Sequence, residues 1–187
     1  MKVCPKTFLL TIALALSTSS VAAAELPNGP ARLDGVWKLD WDQSDSFEPA
    51  MKALETSWFL RKLAGIARVG LEMRAVPRSS ECDECAERII VTLSTPISTR
   101  QVEAILDGEP RPGEDPRGRA TVDRYSWTSE DGLEMIRELE LPSGSQARIV
   151  EVRNLGVDPD TLSSRMTVWV DGSERASINR TFIRTSD

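Results

Sequence analysis

One arginine of this chain falls on the apolar side of a predicted strand. In segment 133–141, Leu-Glu-Met-Ile-Arg-Glu-Leu-Glu-Leu, the odd-numbered residues are apolar except Arg137. Successive side chains of a β-strand point to opposite faces, so Arg137 is predicted to point into the protein with the apolar residues. A buried cation without a partner is costly. Arg137 therefore needs an anion, and a bound carboxylate suits it because it accepts two charge-assisted hydrogen bonds from one guanidinium.

Two cysteines, Cys82 and Cys85, are separated by two residues and stand among acidic neighbours. In an oxidising compartment, a pair at this spacing most simply forms a local disulfide. The acidic neighbours disfavour the thiolate that a redox motif requires. A zinc site needs about four ligands, and the sequence offers no second cysteine pair. We expect a structural disulfide between Cys82 and Cys85.

The composition argues against nucleic acid and against an enzyme. The chain has 23 basic and 29 acidic residues and no histidine. Phosphate backbones are bound mainly by Lys and Arg, so an acidic chain is a poor candidate for a nucleic-acid partner. Without histidine the commonest general base and metal ligand are missing. The sequence also has no G-x-S-x-G motif and no phosphate-binding loop, so we expect no catalytic residues, no metal and no cofactor.

The N-terminal segment predicts export. Residues 1–24 carry Lys2 and Lys6, then a short apolar run, then three alanines. This order is typical of a secretory signal peptide with a small-residue cleavage site. The apolar run is too short for a transmembrane helix, although an uncleaved anchor is the alternative. We expect one domain, residues 25–187, in the periplasm or outside the cell.

Alternation of apolar and polar residues dominates the rest of the chain. The alternation begins at Leu33, is interrupted by helical spacing over 47–69, and then resumes and continues toward the C-terminus. Ser46 is placed to cap the first helix. The stretch 107–118 has three prolines and three glycines and predicts a long loop. Many short strands at hairpin spacing indicate a barrel or a sandwich. The later strand segments are 71–76, 88–95, 99–106, 120–127, 133–141, 148–155, 164–170 and 176–184.

The strand 35–39, Gly-Val-Trp-Lys-Leu, and the helical stretch after it resemble the N-terminal signature of the intracellular fatty-acid-binding protein family, which belongs to the calycin or lipocalin-like barrels. In that family a phenylalanine opens the first helix, Met-Lys-Ala follows, and Arg-Lys-x-Ala-Gly lies in the second. The matching residues are Phe47, Met51, Lys52, Arg61, Lys62, Ala64 and Gly65. The resemblance implies an all-β fold: an antiparallel up-and-down β-barrel of about ten strands, with a helix-turn-helix lid between the first two.

The resemblance also implies a ligand site. The family's last strand ends in Thr-Arg-x-Tyr, whose arginine and tyrosine bind the ligand carboxylate. Arg180 matches the arginine, and Phe182 stands at the tyrosine position without the hydroxyl. Arg153 matches a second family arginine in a Val-Arg-x-Leu pattern. The ligand-binding candidates are thus Arg153, Arg180 and Phe182, with Arg137 added from the strand pattern. Glu151 shares a strand face with Arg153 and could pair with Arg153 or with Arg180, which offers an alternative, a polar interior paired within itself.

The helix pair covers the entrance of the barrel in this family and can touch membranes during lipid transfer. The resemblance therefore makes Phe59, Arg61 and Lys62 portal residues and implies transient membrane contact; a solvated helix surface is the alternative. Tyr125 and Trp127 share a strand face and are candidates for lining the cavity or for ordinary core.

These features favour an exported, monomeric carrier or sequestering protein that binds a small hydrophobic carboxylate, such as a fatty acid, inside the barrel. The alternative is a ligand-free interaction or structural module with an internally paired polar core.

Overall fold

The computed structural model describes residues 29–64, 69–76, 87–95, 98–128 and 132–185. Within these ranges the chain forms ten strands, two short α-helices and a 3₁₀ helix, Gly29–Leu33. The α-helices are α1 (Glu48–Ala53) and α2 (Trp58–Ala64). The strands are β1 (Gly35–Asp40), β2 (Gly70–Val76), β3 (Arg88–Thr95), β4 (Ser98–Ile105), β5 (Arg111–Glu114), β6 (Ala120–Trp127), β7 (Gly132–Glu140), β8 (Gln146–Leu155), β9 (Thr161–Val170) and β10 (Ser173–Arg184). The predicted signal peptide and the cysteines Cys82 and Cys85 lie outside the described residues, so the leader and the disulfide stay predictions.

The ten strands form one antiparallel sheet in the order β4-β3-β2-β1-β10-β9-β8-β7-β6-β5. Each strand pairs with its neighbour in sequence, except that β4 does not pair with β5, and the first strand pairs with the last. The result is an up-and-down barrel with a seam between β4 and β5, which Arg100 bridges by donating a hydrogen bond to the Glu114 carbonyl. Both α-helices lie between β1 and β2, so the predicted fold class and lid position are confirmed.

The sequence prediction was wrong about the loop 107–118, which contains the strand β5. This strand pairs with β6, placing Gly113 opposite Thr121. A Cβ atom on Gly113 would lie 2.7 Å from Asp123 Oδ2 and 2.8 Å from Thr121 Oγ1, so a side chain there would force these two side chains to shift. Proline is tolerated in a strand at a sheet edge, where its missing N–H is not needed. The Pro and Gly residues that predicted a loop are therefore the adaptations of a short edge strand.

Local signals account for the lid and for the hairpin that carries the last strand. Ser46 Oγ accepts a hydrogen bond from the amide of Glu48, the first residue of α1 (3.2 Å), but the N-cap position itself is Phe47, one residue later than the predicted cap. The loop between β9 and β10 is Asp171-Gly172, with φ of 48° and 76°. Two successive positive φ angles are typical of the type I′ turn, whose twist matches that of paired strands. Among the described residues, no helix is long and apolar enough to cross a membrane.

The barrel interior contains two apolar clusters. The base cluster surrounds Trp37, which is fully buried and donates a hydrogen bond from its indole to the Leu33 carbonyl (3.0 Å). The lid cluster lies under α1, which contributes Ala50. The main members of the base cluster are Leu33, Trp37, Leu39, Leu71, Met73, Ile89, Leu133, Leu162 and Phe182. Those of the lid cluster are Ala50, Leu139, Leu141, Ala147, Ile149, Val168, Val170 and Ile178.

Candidate functional site

A polar layer separates the two clusters on three successive strands. Its members are Glu151 and Arg153 on β8, Ser164 on β9 and Arg180 on β10. Strand register places Arg153 and Arg180 on either side of Ser164, each directly opposite it. Because side chains alternate along a strand, all four point to the same face as the core residues around them. The layer therefore lies inside the barrel, between the base cluster and the lid cluster.

Glu151 binds Arg153, which realises one of the two pairings that the sequence left open. Arg153 Nε donates to Glu151 Oε1 at 2.9 Å, and Ser164 Oγ donates to the same oxygen at 2.7 Å. Burial by itself raises the pKa of Glu151, but the attraction of Arg153 and the hydrogen bond from Ser164 outweigh it and hold the pKa below its usual range. Glu151 is thus ionised at neutral pH and neutralises Arg153.

Among the described residues, Arg180 is the member of the layer whose side chain has no polar partner. No ion pair or hydrogen bond is made there by its guanidinium, and its Nε atom is buried. Its guanidinium carbon lies 5.3 Å from the centre of the Phe47 ring and 5.5 Å from that of Phe182. Burial lowers the pKa of Arg180, because the attraction of Glu151 does not offset the lost hydration. An arginine still keeps its charge under such conditions, so the layer holds two cations and one anion.

Arg137 lies inside the barrel as predicted, but a protein carboxylate already binds it. Arg137 Nε and Nη2 donate to the two oxygens of Asp123 at 2.8 and 2.6 Å. Asp123 is directly opposite Arg137 in the β6–β7 register and only 6% exposed. The sequence reasoning missed this partner. A signal for this partner was available. Tyr125 was already a candidate for the inward face, and Asp123, two residues earlier on the same strand, must share that face.

The surface of the described residues has a cleft at the seam and another at the end of β1. The larger, of about 260 Å³, lies at the seam and is lined in part by Arg100, Asp123, Tyr125 and Arg137. The smaller, of about 200 Å³, lies beside Trp41 at the end of β1. Both are below the ~300–1,000 Å³ typical of small-molecule pockets. Arg153, Arg180 and Phe182 line neither cleft.

The predicted portal residues lie together on α2. Phe59 is 67% exposed. The charged groups of Arg61 and Lys62 lie 3.9 and 3.6 Å from the carboxylate of Glu48 on α1. Arg61 also donates a hydrogen bond to the Thr56 carbonyl (2.8 Å). The lid thus presents Phe59 and Lys62 to solvent, while Arg61 is largely buried and Glu48 lies beside both cations; the role of the lid as a portal stays a prediction.

The remaining aromatic candidates lie at the seam and in the core. Tyr125 and Trp127 both pack against the base cluster, and Tyr125 also lines the seam cleft. Phe182 is 4% exposed and belongs to the base cluster, while its ring also contacts Arg180.

Comparison with solved structures identifies the architecture. A Schistosoma mansoni fatty-acid-binding protein in complex with arachidonic acid superposes with a TM-score of 0.62 at 20% identity, covering 85% of this chain and all (100%) of that one. The chain has the fold of the fatty-acid-binding proteins. Lipid-binding protein 8 of Caenorhabditis elegans gives a TM-score of 0.62 at 15% identity, covering 82% of this chain and 96% of its own.

The fatty-acid-binding-protein fold also occurs in a secretory abundant heat soluble protein of Ramazzottius varieornatus. That structure gives a TM-score of 0.61 at 14% identity and covers 87% of this chain and 100% of its own. No protein-family model and no curated protein sequence matches the chain. At these identities the likeness concerns the fold, and the function has to be argued from the residues inside the barrel.

Proposed function

We propose that this protein is an exported carrier or sequestering protein that binds a small hydrophobic carboxylate, fatty-acid-like, inside its barrel. The observation that carries the proposal is Arg180, an inward-facing cation with a buried, unpartnered Nε atom. A buried polar group without a partner costs free energy, and a ligand carboxylate would remove that cost by accepting its hydrogen bonds.

The charges of the polar layer favour a ligand with one negative charge. Glu151 contributes one negative charge, and Arg153 and Arg180 contribute two positive charges, which leaves a net charge of +1. One carboxylate at Arg180 balances it. Glu151 remains on Arg153 and Ser164, so the layer needs no rearrangement to accept the anion. Arg153 and Phe182 would then border the bound head group.

The side chains beside the layer suit an apolar tail. Met135 and Met166 stand directly opposite Glu151 on the two neighbouring strands, and both pack against the lid cluster. Methionine is unbranched and adapts its shape easily. These two residues can move aside for an alkyl chain without disturbing the backbone.

The names of the proteins with a similar solved structure support lipid binding and export. One is named as a fatty-acid-binding protein with bound arachidonic acid, another as a lipid-binding protein, and the heat-soluble protein is named as secretory. We extend lipid binding and export to this chain by analogy of fold. The exposed Phe59 with Arg61 and Lys62 would provide the transient membrane contact of a monomeric carrier.

A binding titration tests the proposal. Delipidated protein is titrated with a fluorescent fatty-acid analogue and compared with the variant Arg180→Met. A charge-assisted hydrogen bond contributes about 1.5–3 kcal/mol, so we expect the variant to bind at least about tenfold more weakly. Arg165→Met is the matched control, because Arg165 is exposed on the outer face of β9. Equal affinity of Arg180→Met and the native protein would refute the proposal.

The ligand-free module remains a second candidate, because one observation favours it. Two of the three interior arginines, Arg137 and Arg153, are bound by the protein's own carboxylates. A closed interior predicts no uptake of the fluorescent probe and no lipid in an organic extract of the purified protein. Uptake that depends on Arg180 decides for the carrier.

A further inference from the structure

The short helix α1 is attached to the barrel at both of its ends. Before the helix, the Asp45 amide donates a hydrogen bond to the Asn179 carbonyl of β10 (2.8 Å). The Thr181 amide of the same strand donates to Ser44 Oγ (3.0 Å). After the helix, the chain contacts the loop between β5 and β6 and the turn between β7 and β8. Between these attachments α1 packs against β9 and β10 and lies over the lid cluster.

The residue that follows α1 has a backbone conformation that normally requires glycine. Glu55 has a φ of 54°. Its amide donates to the Lys52 carbonyl (3.1 Å), and the next amide, that of Thr56, donates to the Met51 carbonyl (2.9 Å). These two bonds form a Schellman motif, in which the left-handed residue is usually glycine because a side chain is unfavourable there. A glutamate kept in such a conformation indicates a role for its side chain.

The side chain of Glu55 joins the end of α1 to the turn between β7 and β8. Glu55 Oε2 accepts a hydrogen bond from the Ser143 amide (3.0 Å). The turn is fixed by two bonds of its own, from the Gly144 amide to the Leu141 carbonyl (2.9 Å) and from the Leu141 amide to the Ser145 carbonyl (2.8 Å). The carboxylate therefore binds the end of the helix to a well-defined part of the barrel rim.

A second contact holds the same end of α1 from the loop between β5 and β6. Arg117 Nη2 donates a hydrogen bond to the carbonyl of Leu54, the C-cap of α1 (2.9 Å). A carbonyl at the end of a helix has no partner within the helix, so a cation suits it. The loop is held by Asp115, a buried carboxylate that accepts hydrogen bonds from the amides of Arg117 (2.8 Å) and Arg119 (2.9 Å). Arg117 is thus presented by a rigid loop.

We propose that Glu55 and Arg117, with their partners Ser143 and Leu54, form a latch that holds α1 over the barrel and sets how fast a ligand enters and leaves. This role in ligand exchange rests on the proposed carrier function. Each latch contact is a single exposed hydrogen bond, which contributes little to the stability of the fold. Such contacts break and reform in local opening, without unfolding of the barrel, while the bonds to β10 keep the start of α1 in place.

A latch has a kinetic signature that a ligand-binding residue does not have. Its bonds join groups of the protein alone, so they hold α1 closed both with and without a ligand. Loss of one bond raises the open fraction of both forms by the same factor. The association and dissociation rate constants therefore rise together, and their ratio, the Kd, stays the same. Loss of a contact to the ligand would change the Kd instead.

The test uses Glu55→Gly, with stopped-flow measurement of the binding and release of the fluorescent fatty-acid analogue. Glycine suits the left-handed backbone, so the end of α1 stays intact while the latch bond is lost. The typical net contribution of one hydrogen bond corresponds to about a fivefold change. We expect both rate constants to rise about fivefold, with a Kd within about twofold of the native value. Arg117→Met should act in the same direction, and Glu55→Gln, which keeps an acceptor oxygen, should stay closer to the native rates.

A second measurement follows the opening of the lid without any ligand. Ala50 of α1 is fully buried in the lid cluster, and Ala104 is fully buried in the base cluster. In Ala50→Cys the new thiol becomes accessible to a thiol reagent when α1 lifts, and mass spectrometry locates the label. Its labelling should be about fivefold faster when Glu55→Gly is added. The labelling of Ala104→Cys, the matched control, should not change with Glu55→Gly.

The outcomes separate the latch from the carrier function. If Glu55→Gly leaves both rate constants and the labelling at position 50 at their native values, the latch is refuted and the carrier function stands. A weaker Kd with unchanged labelling would also overturn the latch, since Glu55 would then act on the ligand. If the native protein does not bind the analogue, the carrier function fails, and the labelling at position 50 alone decides whether the latch holds α1.

Discussion

Replacement of Arg180 by methionine should stabilise the ligand-free protein and, at the same time, weaken its response to ligand. In the ligand-free barrel Arg180 has a buried Nε atom without a partner, and an unsatisfied group of this kind costs about 1–3 kcal/mol. The two cation–π contacts offset part of this cost, by roughly 0.5–2 kcal/mol. Methionine fills a similar space against the same rings without a charge. Arg180→Met should therefore have a free energy of unfolding about 1 kcal/mol higher than the native protein, which corresponds to a rise in Tm of about 2–4 °C for a chain of this size.

The assay is urea unfolding of delipidated protein, followed by thermal melts with and without decanoate. Ligand that binds only the folded state raises the Tm of the native protein. It should raise the Tm of Arg180→Met by less, because binding that is tenfold weaker removes about 1.4 kcal/mol of the stabilisation by ligand. Arg165→Met, on the outer face, should behave like the native protein in both measurements. A ligand-free Arg180→Met that is less stable than the native protein by about 1 kcal/mol or more would show that the protein or its bound water already satisfies Arg180, and the reasoning about an unfilled anion site would be refuted.

Two further predictions concern the carboxylates inside the barrel. Asp123→Ala leaves Arg137 buried without its partner and should lower the free energy of unfolding, measured in urea, by about 3–5 kcal/mol. The double variant Asp123→Ala with Arg137→Met has no unpaired cation and should recover much of this loss. Equal instability of the single and the double variant would contradict this. Glu151 has a folded-state pKa below its ordinary value of 4.5, so its contribution is complete above that pH and is lost as the pH falls through the folded-state value. Unfolding measured from pH 7 to pH 3 should therefore show Glu151→Gln less stable than the native protein at neutral pH, with a difference that shrinks in acid, and a difference independent of pH would count against the ion pair.

The sequence was a good guide to the architecture because several local signals agreed. Alternating strands, turn residues and the Phe47 helix motif each pointed to a lidded barrel, and consistent signals of this kind specify a fold strongly. The strand β5 was missed, since Pro112 and Gly113 are loop formers in most contexts. Their acceptability in an edge strand depends on β6 and on the side chains of Thr121 and Asp123, which are distant from the local pattern.

The site was only partly predictable. The alternation of side chains correctly predicted that Arg137 points inward. Its partner depends on the register between β6 and β7, and the sequence of one strand does not determine that register. Glu151 shares its strand with Arg153, so their pairing was foreseeable as one of two options. The neighbours of Arg180 were harder to predict from the sequence. Phe47 comes from a different part of the chain, and its contact with Arg180 exists only after the lid has been folded onto β10.

The pairing of the first strand with the last has a consequence for how the protein is made. Trp37, Lys38, Leu39 and Asp40 pair with residues 181–184, almost the full length of the described chain away. Contacts between such distant residues form slowly, because a long loop must close first. The strand that closes the sheet also carries Arg180. A growing or truncated polypeptide that lacks β10 also lacks Arg180, so the proposed head-group residue takes its place in the same late step that completes the wall.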